Sequence, residues 1–168
     1  IFQPEWSPRG LLHFVSDRSG WWNLYRLQNG SEPLCPLEAE FGLPQWACNL
    51  RTYAILSVDK LLCTYTQAGL WKLALLDSAT KTLTPFDLPY TEFGTIDTGD
   101  GFAVFEAGSA TEPTTLLRLD LATGRGEVLR RSFEPAVSSG FFSLPRAVEF
   151  PTENKLKAHG FFYPPANP

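Results

Sequence analysis

The sequence has no methionine, two histidines and three cysteines among its 168 residues. The cysteines, Cys35, Cys48 and Cys63, are odd in number, and no pair has the C-x-x-C spacing of a zinc site or a redox centre. We therefore expect three reduced thiols that are buried as small hydrophobic side chains. Such thiols are typical of a reducing compartment, so we expect a cytoplasmic location. The sequence predicts neither a disulfide framework nor a bound metal.

Basic residues are fewer than acidic ones: the chain has 14 Lys and Arg and 18 Asp and Glu, and its net charge is −4. No dense stripe of Lys and Arg is present to neutralise phosphates, so we do not expect nucleic acid as a partner. The longest apolar runs fall well short of the ~20 residues of a membrane span, so a membrane is not expected either. The first residues, IFQPEWSPRG, lack the charged and apolar regions of a signal peptide.

The residue patterns of catalysis are missing as well. No serine lies in the G-x-S-x-G pattern that places a hydrolase nucleophile on a sharp turn. His13 lies in an alternating strand and His159 in a terminal hairpin, and we assign neither a catalytic role. Asp97, Asp100 and Glu106 are close in sequence, but the segment DTGDG is more typical of a turn than of a calcium site. We therefore expect no catalytic, cofactor-binding or metal-ligating residue in this chain.

Aromatic residues and chain-breaking residues are plentiful, with 13 Phe, 5 Trp, 13 Gly and 14 Pro. Large flat side chains suit pleated surfaces that pack on one another. Gly and Pro divide the chain into many short elements. No window of about 11 residues free of Gly and Pro has a convincing helical period, so we expect almost no helix.

A strand–turn–strand unit occurs three times, and each copy follows two further short strands. The unit recurs every forty-odd residues, which is typical of the blades of a β-propeller. The predicted fold is all-β: a partial β-propeller of three four-stranded antiparallel blades, followed by a C-terminal hairpin. The three copies of the unit are WNLYRLQNGSEPLCPL at 22–37, LWKLALLDSATKTLTPFDL at 70–88 and LLRLDLATGRGEVLRRS at 116–132.

Two of these turns begin with an aspartate. Asp120 starts DLATG, where its carboxylate can accept backbone N–H groups and Gly124 can close the turn in a left-handed conformation. Asp77 starts DSATK, which has Lys81 at the position of the glycine. We therefore expect the second turn to be strained or built differently.

The predicted blades cover residues 1–132, divided at about 1–39, 40–89 and 90–132. A Pro-, Gly- and Ser-rich linker follows at 133–147, and a hairpin follows at 148–168. Blades normally close into rings of four to eight, so three blades leave the outer faces of two sheets uncovered. The chain is then either a fragment of a longer propeller, which we favour, or is closed by a second copy. We expect the open faces to drive self-association.

Two segments carry a resemblance to a known family. PEWSPRGLLHFVSDRSGWWNLYRL, residues 4–27, resembles the propeller repeat of the prolyl-oligopeptidase family of serine peptidases and that of Tol–Pal-type periplasmic propellers. VEFPTENKLKAHGFFYPPANP, residues 148–168, resembles the junction at which prolyl-oligopeptidase relatives pass into their α/β-hydrolase domain. It is most similar to the acylaminoacyl-peptidase and dipeptidyl-aminopeptidase branch.

This resemblance implies a non-catalytic propeller fragment of a serine exopeptidase or oligopeptidase. In such enzymes the propeller limits access to short peptides and packs on a hydrolase domain, which carries the Ser, Asp and His. This chain alone would be inactive. The alternative is a stand-alone binding scaffold like the Tol–Pal-type propellers. A tail hairpin that pairs outside the blades favours the peptidase.

An interface is predicted at Trp21, Trp22 and Arg18. Neighbouring residues of a strand face opposite sides, so one tryptophan packs between blades and the other reaches solvent. An exposed tryptophan beside an arginine would contact the hydrolase domain or a neighbouring subunit, where both residue types are enriched. The alternative is that both tryptophans cover the core between blades.

Overall fold

The structure is a computed structural model that describes residues 1–44, 46 and 49–167; Cys48 lies outside them. It contains three four-stranded antiparallel sheets and one two-stranded sheet, and 49% of the described residues are strand. This confirms the predicted all-β partial propeller with a C-terminal hairpin.

The first sheet contains β1 (Phe2–Trp6), β2 (Leu12–Ser16), β3 (Asn23–Leu27) and β4 (Ser31–Pro33). The second contains β5 (Tyr53–Ile55), β6 (Lys60–Gln67), β7 (Leu70–Asp77) and β8 (Thr82–Pro85). The third contains β9 (Glu92–Gly99), β10 (Phe102–Gly108), β11 (Thr115–Asp120) and β12 (Gly126–Arg131), and the last contains β13 (Arg146–Pro151) and β14 (Lys157–Phe162).

Each large sheet is a simple meander in which every strand pairs with the strand before it. The described residues form no α-helix; two short 3₁₀ turns lie at Ser139–Phe141 and Glu153–Lys155. No helix in this part of the chain is long and apolar enough to cross a membrane.

The second sheet is buried on both of its faces. Neighbouring residues point to opposite faces of a strand, and in β6 Leu61 packs against the first sheet while Leu62 packs against the third. The first of these cores contains Leu24 and Tyr53, and the second contains Phe105. Full burial of a large apolar side chain contributes roughly 1.5–3 kcal/mol, so the two cores hold the three sheets together.

Polar contacts join the first strands of the three sheets. The Gln3 amide donates to the Tyr53 carbonyl over 2.6 Å and accepts from the Thr52 N–H over 2.7 Å. Arg51, which lies just before β5, forms an ion pair of 2.8 Å with Glu5 in β1. Its second contact is a 3.3 Å pair with Asp97 in β9. One guanidinium thus bridges the first and third sheets through the second.

Both aspartate turns form as the sequence predicts. Asp77 accepts the N–H groups of residues 79 and 80, and Asp120 accepts those of residues 122 and 123. These bonds to the charged form hold the pKa of both carboxyl groups below the usual value. Lys81 has φ +56° and Gly124 has φ +69°, so the lysine turn is built like the glycine turn and carries the strain.

The cysteines in the described residues are buried. Cys35 and Cys63 are free thiols within the core between the first and second sheets. Burial disfavours the thiolate and raises the pKa of both groups. Both therefore lie in the core as the small hydrophobic side chains that the sequence predicts.

His13 is a fully buried titratable group in β2. Its Nδ1 lies 3.2 Å from the Leu11 carbonyl, and its Nε2 has no hydrogen-bond partner among the described residues. Burial lowers the pKa of His13, the contacts with Leu11 and with the nearby Glu5 oppose this, and the nearby Arg26 lowers it further. The neutral imidazole is therefore the form that the folded chain favours.

Acid should destabilise the fold through His13. Because its folded pKa lies below the unfolded value of about 6.5, the unfolded chain binds the additional proton and stability falls as pH drops below about 6.5. Urea unfolding at pH 7.5 and 5.5 should reveal this loss in the parent sequence and a smaller loss in His13→Leu. The exposed His159→Gln variant is the control and should retain the full pH dependence. An unchanged pH dependence in His13→Leu would contradict this account.

Candidate functional site

The C-terminal tail, residues 133–167, forms a unit separate from the three large sheets. Its strands β13 and β14 pair only with each other, with Val148 opposite Gly160 and Phe150 opposite Ala158. The tail hairpin therefore lies outside the blades, which is the arrangement that favours the peptidase over the stand-alone scaffold.

The hairpin rests on the second sheet through one close contact. The β6–β7 turn has left-handed backbone at Ala68, φ +53°, and at Gly69, φ +80°. A Cβ atom built on Gly69 would lie 2.7 Å from Cζ of Phe161, in β14. Glycine is thus required here twice, by the backbone conformation and by the approach of the aromatic ring.

A cavity of about 590 Å³ lies beside this contact, between the propeller and the tail. One wall belongs to the second and third sheets and their turns, and the other belongs to the linker and the hairpin. The Ser143 hydroxyl donates to the Pro164 carbonyl and joins the linker to the segment that follows β14. The aromatic lining residues are Trp71, Phe93, Phe141, Phe142, Phe161 and Tyr163.

The tail exposes many apolar side chains on both faces of its hairpin. Such a concentration within one short segment is unusual for a surface that meets only water, and it marks a protein-contact surface. The exposed residues are Phe133, Val137, Phe141, Leu144, Val148, Phe150, Leu156, Phe161, Phe162 and Tyr163.

The structure places the three predicted interface residues in different surroundings. Trp22 packs against the core between the first and second sheets. Trp21 is 40% exposed. Arg18 lies over the stacked rings of Phe14 and Tyr25, with its guanidinium carbon 5.2 Å and 5.0 Å from their centroids. Both tryptophans precede β3, and their role as an interface stays a prediction.

Sequence reasoning missed Gly69 and Phe161. A signal was present in QAGLW, because a glycine between two strands indicates a tight turn with positive φ. Nothing in the sequence indicated that Phe161 approaches this turn, since the two residues are almost a hundred positions apart.

The described residues of the propeller and the tail form contact surfaces. His159 is exposed, and its Nδ1 lies 3.9 Å from the Glu149 carboxylate on the neighbouring strand. The described residues contain no group of three or more His, Cys, Asp or Glu side chains that could hold a metal ion.

Comparison with solved structures identifies proteins that share this arrangement. A puromycin hydrolase is 30% identical with a TM-score of 0.90, and the match covers 100% of this chain and 26% of that protein. A puromycin-hydrolysing peptidase of Mycobacterium tuberculosis is 29% identical with a TM-score of 0.91, over 99% of this chain and 26% of that one. A prolyl endopeptidase is 13% identical with a TM-score of 0.68.

The prolyl endopeptidase match covers 95% of this chain and 24% of that one. The chain thus spans about a quarter of the length of the proteins that it resembles. No protein-family model matches the sequence, and a search of curated proteins found no match. The partial-propeller fold and the likeness over the whole chain match it to a propeller segment of peptidases of the prolyl-oligopeptidase type.

Proposed function

We propose that this chain is the part of a serine peptidase that limits access of peptides to the active site and packs on the catalytic α/β-hydrolase domain. The observation that carries the proposal is the tail hairpin, which is held on the second sheet by the contact of Phe161 with Gly69. The hairpin still exposes apolar side chains on both faces. A surface of this kind suits a neighbouring domain of the same protein.

We further propose the division into blades at residues 1–132, a linker at 133–147 and a hairpin at 148–168 that begins the hydrolase domain. The resemblance of residues 148–168 supports the acylaminoacyl-peptidase or dipeptidyl-aminopeptidase branch for the parent enzyme, with peptides as substrates. The reduced, buried Cys35 and Cys63 support a cytoplasmic location.

The chain alone should not hydrolyse peptides, because its sequence contains no G-x-S-x-G nucleophile. Purified protein should not be labelled by a fluorophosphonate probe, and it should not cleave chromogenic dipeptide or acyl-amino-acid substrates. A serine peptidase run in parallel verifies the probe. Labelling of a serine in this chain would overturn the division of labour that we propose.

The contact between Gly69 and Phe161 should set the position of the tail. Gly69→Ala forces the ring away from the turn, so amide hydrogen exchange in β13 and β14 should become faster. Gly101→Ala is the matched control, because Gly101 has φ +76° and a Cβ atom built on it meets nothing within 4 Å. That variant should suffer a similar backbone strain of about 1 kcal/mol without any change in the tail.

A double-mutant comparison separates contact from strain. In a Phe161→Ala background, Gly69→Ala and Gly101→Ala should cost the same free energy of unfolding, since the ring that Gly69 accommodates is gone. In a Phe162→Ala background the difference between the two glycine variants should persist. Equal costs in the parent sequence would show that the tail does not depend on this contact.

The docking proposal extends to the full-length enzyme. There, Phe161→Ala should raise kcat/KM for long peptides relative to short ones, because a loosened propeller excludes them less well. Phe162→Ala should leave this ratio closer to that of the parent enzyme. If Phe161→Ala leaves the ratio of kcat/KM for long and short peptides unchanged, docking of the propeller does not control peptide access.

We also propose self-association through the open faces of the first and third sheets. Trp6, Leu12 and Leu27 lie side by side across the first sheet, and Trp6 and Leu27 are 68% and 46% exposed. Leu116 of the third sheet is 39% exposed. Sedimentation should therefore detect oligomers at high concentration.

A charge in an open face tests this self-association. Leu27→Glu should weaken it, and Thr80→Glu in an exposed turn should not, since only the first change places a carboxylate within the apolar row. A parent chain that sediments as a monomer at all concentrations would refute the proposal.

A further inference from the structure

A second cavity, of about 550 Å³, lies between the first and second sheets, on the side where the tail rests. Its lining is mostly apolar and includes one carboxylate, that of Glu40. Trp71 borders both this cavity and the one beside the tail. The lining residues are Trp22, Glu40, Gly42, Leu43, Pro44, Thr66 and Trp71.

Backbone pairing explains why Glu40 and Trp71 share this cavity. Glu40 and Thr66 form a two-way bridge, with N–H to carbonyl distances of 3.0 and 2.9 Å. Thr66 lies opposite Trp71 in the β6–β7 pair. Directly opposed residues of antiparallel strands place their side chains on the same face. Glu40, Thr66 and Trp71 therefore form one row across the floor of the cavity.

Trp22 forms a fixed wall over this row. Its backbone N–H donates to Oε2 of Glu40 over 2.8 Å, and its carbonyl accepts the N–H of Phe41. A Cβ built on Gly42 would lie 3.2 Å from the Trp22 ring, so the indole lies close against glycine backbone. Two tryptophans and a carboxylate are thus positioned by backbone hydrogen bonds before any ligand arrives.

The carboxylate of Glu40 has no cationic partner among the residues that the structure describes. The ion pairs of the described residues join no lysine or arginine to it. Glu40 is half-buried, and beside it the indoles of Trp22 and Trp71 offer apolar surface with electron-rich faces. A cation near indole rings is attracted by their quadrupole, and more strongly where water is excluded.

We propose that this cavity binds a ligand with one ammonium group on an apolar or aromatic body. The ammonium pairs with the Glu40 carboxylate, and the apolar body lies against Trp22, Trp71 and Leu43. A small number of polar groups in a largely apolar cavity is the usual composition of a site for a small ligand. This binding site goes beyond the access and docking roles, and it does not depend on them.

The test compares two probes of the same shape, 2-phenylethylamine and the uncharged 2-phenylethanol. Titrations of the whole chain follow the indole N–H signals of Trp22 and Trp71 by NMR. The amine should bind more tightly than the alcohol, and Glu40→Gln should weaken the amine about tenfold while leaving the alcohol unchanged. Glutamine retains an acceptor for the Trp22 N–H, so the wall stays in place. Glu38→Gln, which removes an exposed carboxylate two residues earlier, should change neither affinity.

Further probes separate two sources of the ammonium. A phenylalanyl-glycine amide with a free N-terminus represents a peptide end, and an N-acetyl-lysine amide represents a side chain. If one of these two probes binds more tightly than the other and loses this binding in Glu40→Gln, the result supports the site and identifies which type of ammonium it takes. Equal binding of amine and alcohol, unchanged amine binding in Glu40→Gln, or unmoved Trp22 and Trp71 signals at millimolar probe would overturn the proposal. None of these outcomes bears on docking of the hydrolase domain.

Discussion

The fold depends on covering both faces of the second sheet with apolar side chains. Leu61 and Leu62 are adjacent in β6 and enter two different cores, one against the first sheet and one against the third. A strand buried on both faces cannot lie at the surface of a sandwich, so it requires a sheet on either side. The first and third sheets each cover one face of the second sheet. Each of them therefore has one covered face and one open face. The order of the three sheets and the apolar rows left exposed on the outer two follow from this constraint.

Local features of the fold could be predicted from the sequence because they are encoded locally. Asp77 and Asp120 mark turns through bonds to backbone two and three residues on, and alternation of apolar residues marks the strands beside them. Lys81 illustrates the limit: its side chain does not favour positive φ, yet the two paired strands around it hold it there. The register of the hairpin overrides the preference of one residue.

The candidate site was much harder to predict, since its parts come from distant segments. The contact of Phe161 with Gly69 and the row of Glu40, Thr66 and Trp71 join residues that no motif connects. In the sequence, Trp22 is marked by its residue type and by Trp21 and Arg18 beside it. Its position as a wall depends on Glu40 and Gly42, which follow it on a loop whose course only the packing of two sheets defines.

The tail departs from the third sheet and places Phe161 against the second, and this order matters during synthesis. The stretch of chain between Gly69 and Phe161 encloses every strand of the third sheet. Gly69 leaves the ribosome long before Phe161 does, and a compact intervening meander lowers the entropic cost of closing the loop between them. A nascent chain whose third sheet forms slowly therefore leaves its aromatic hairpin exposed for longer.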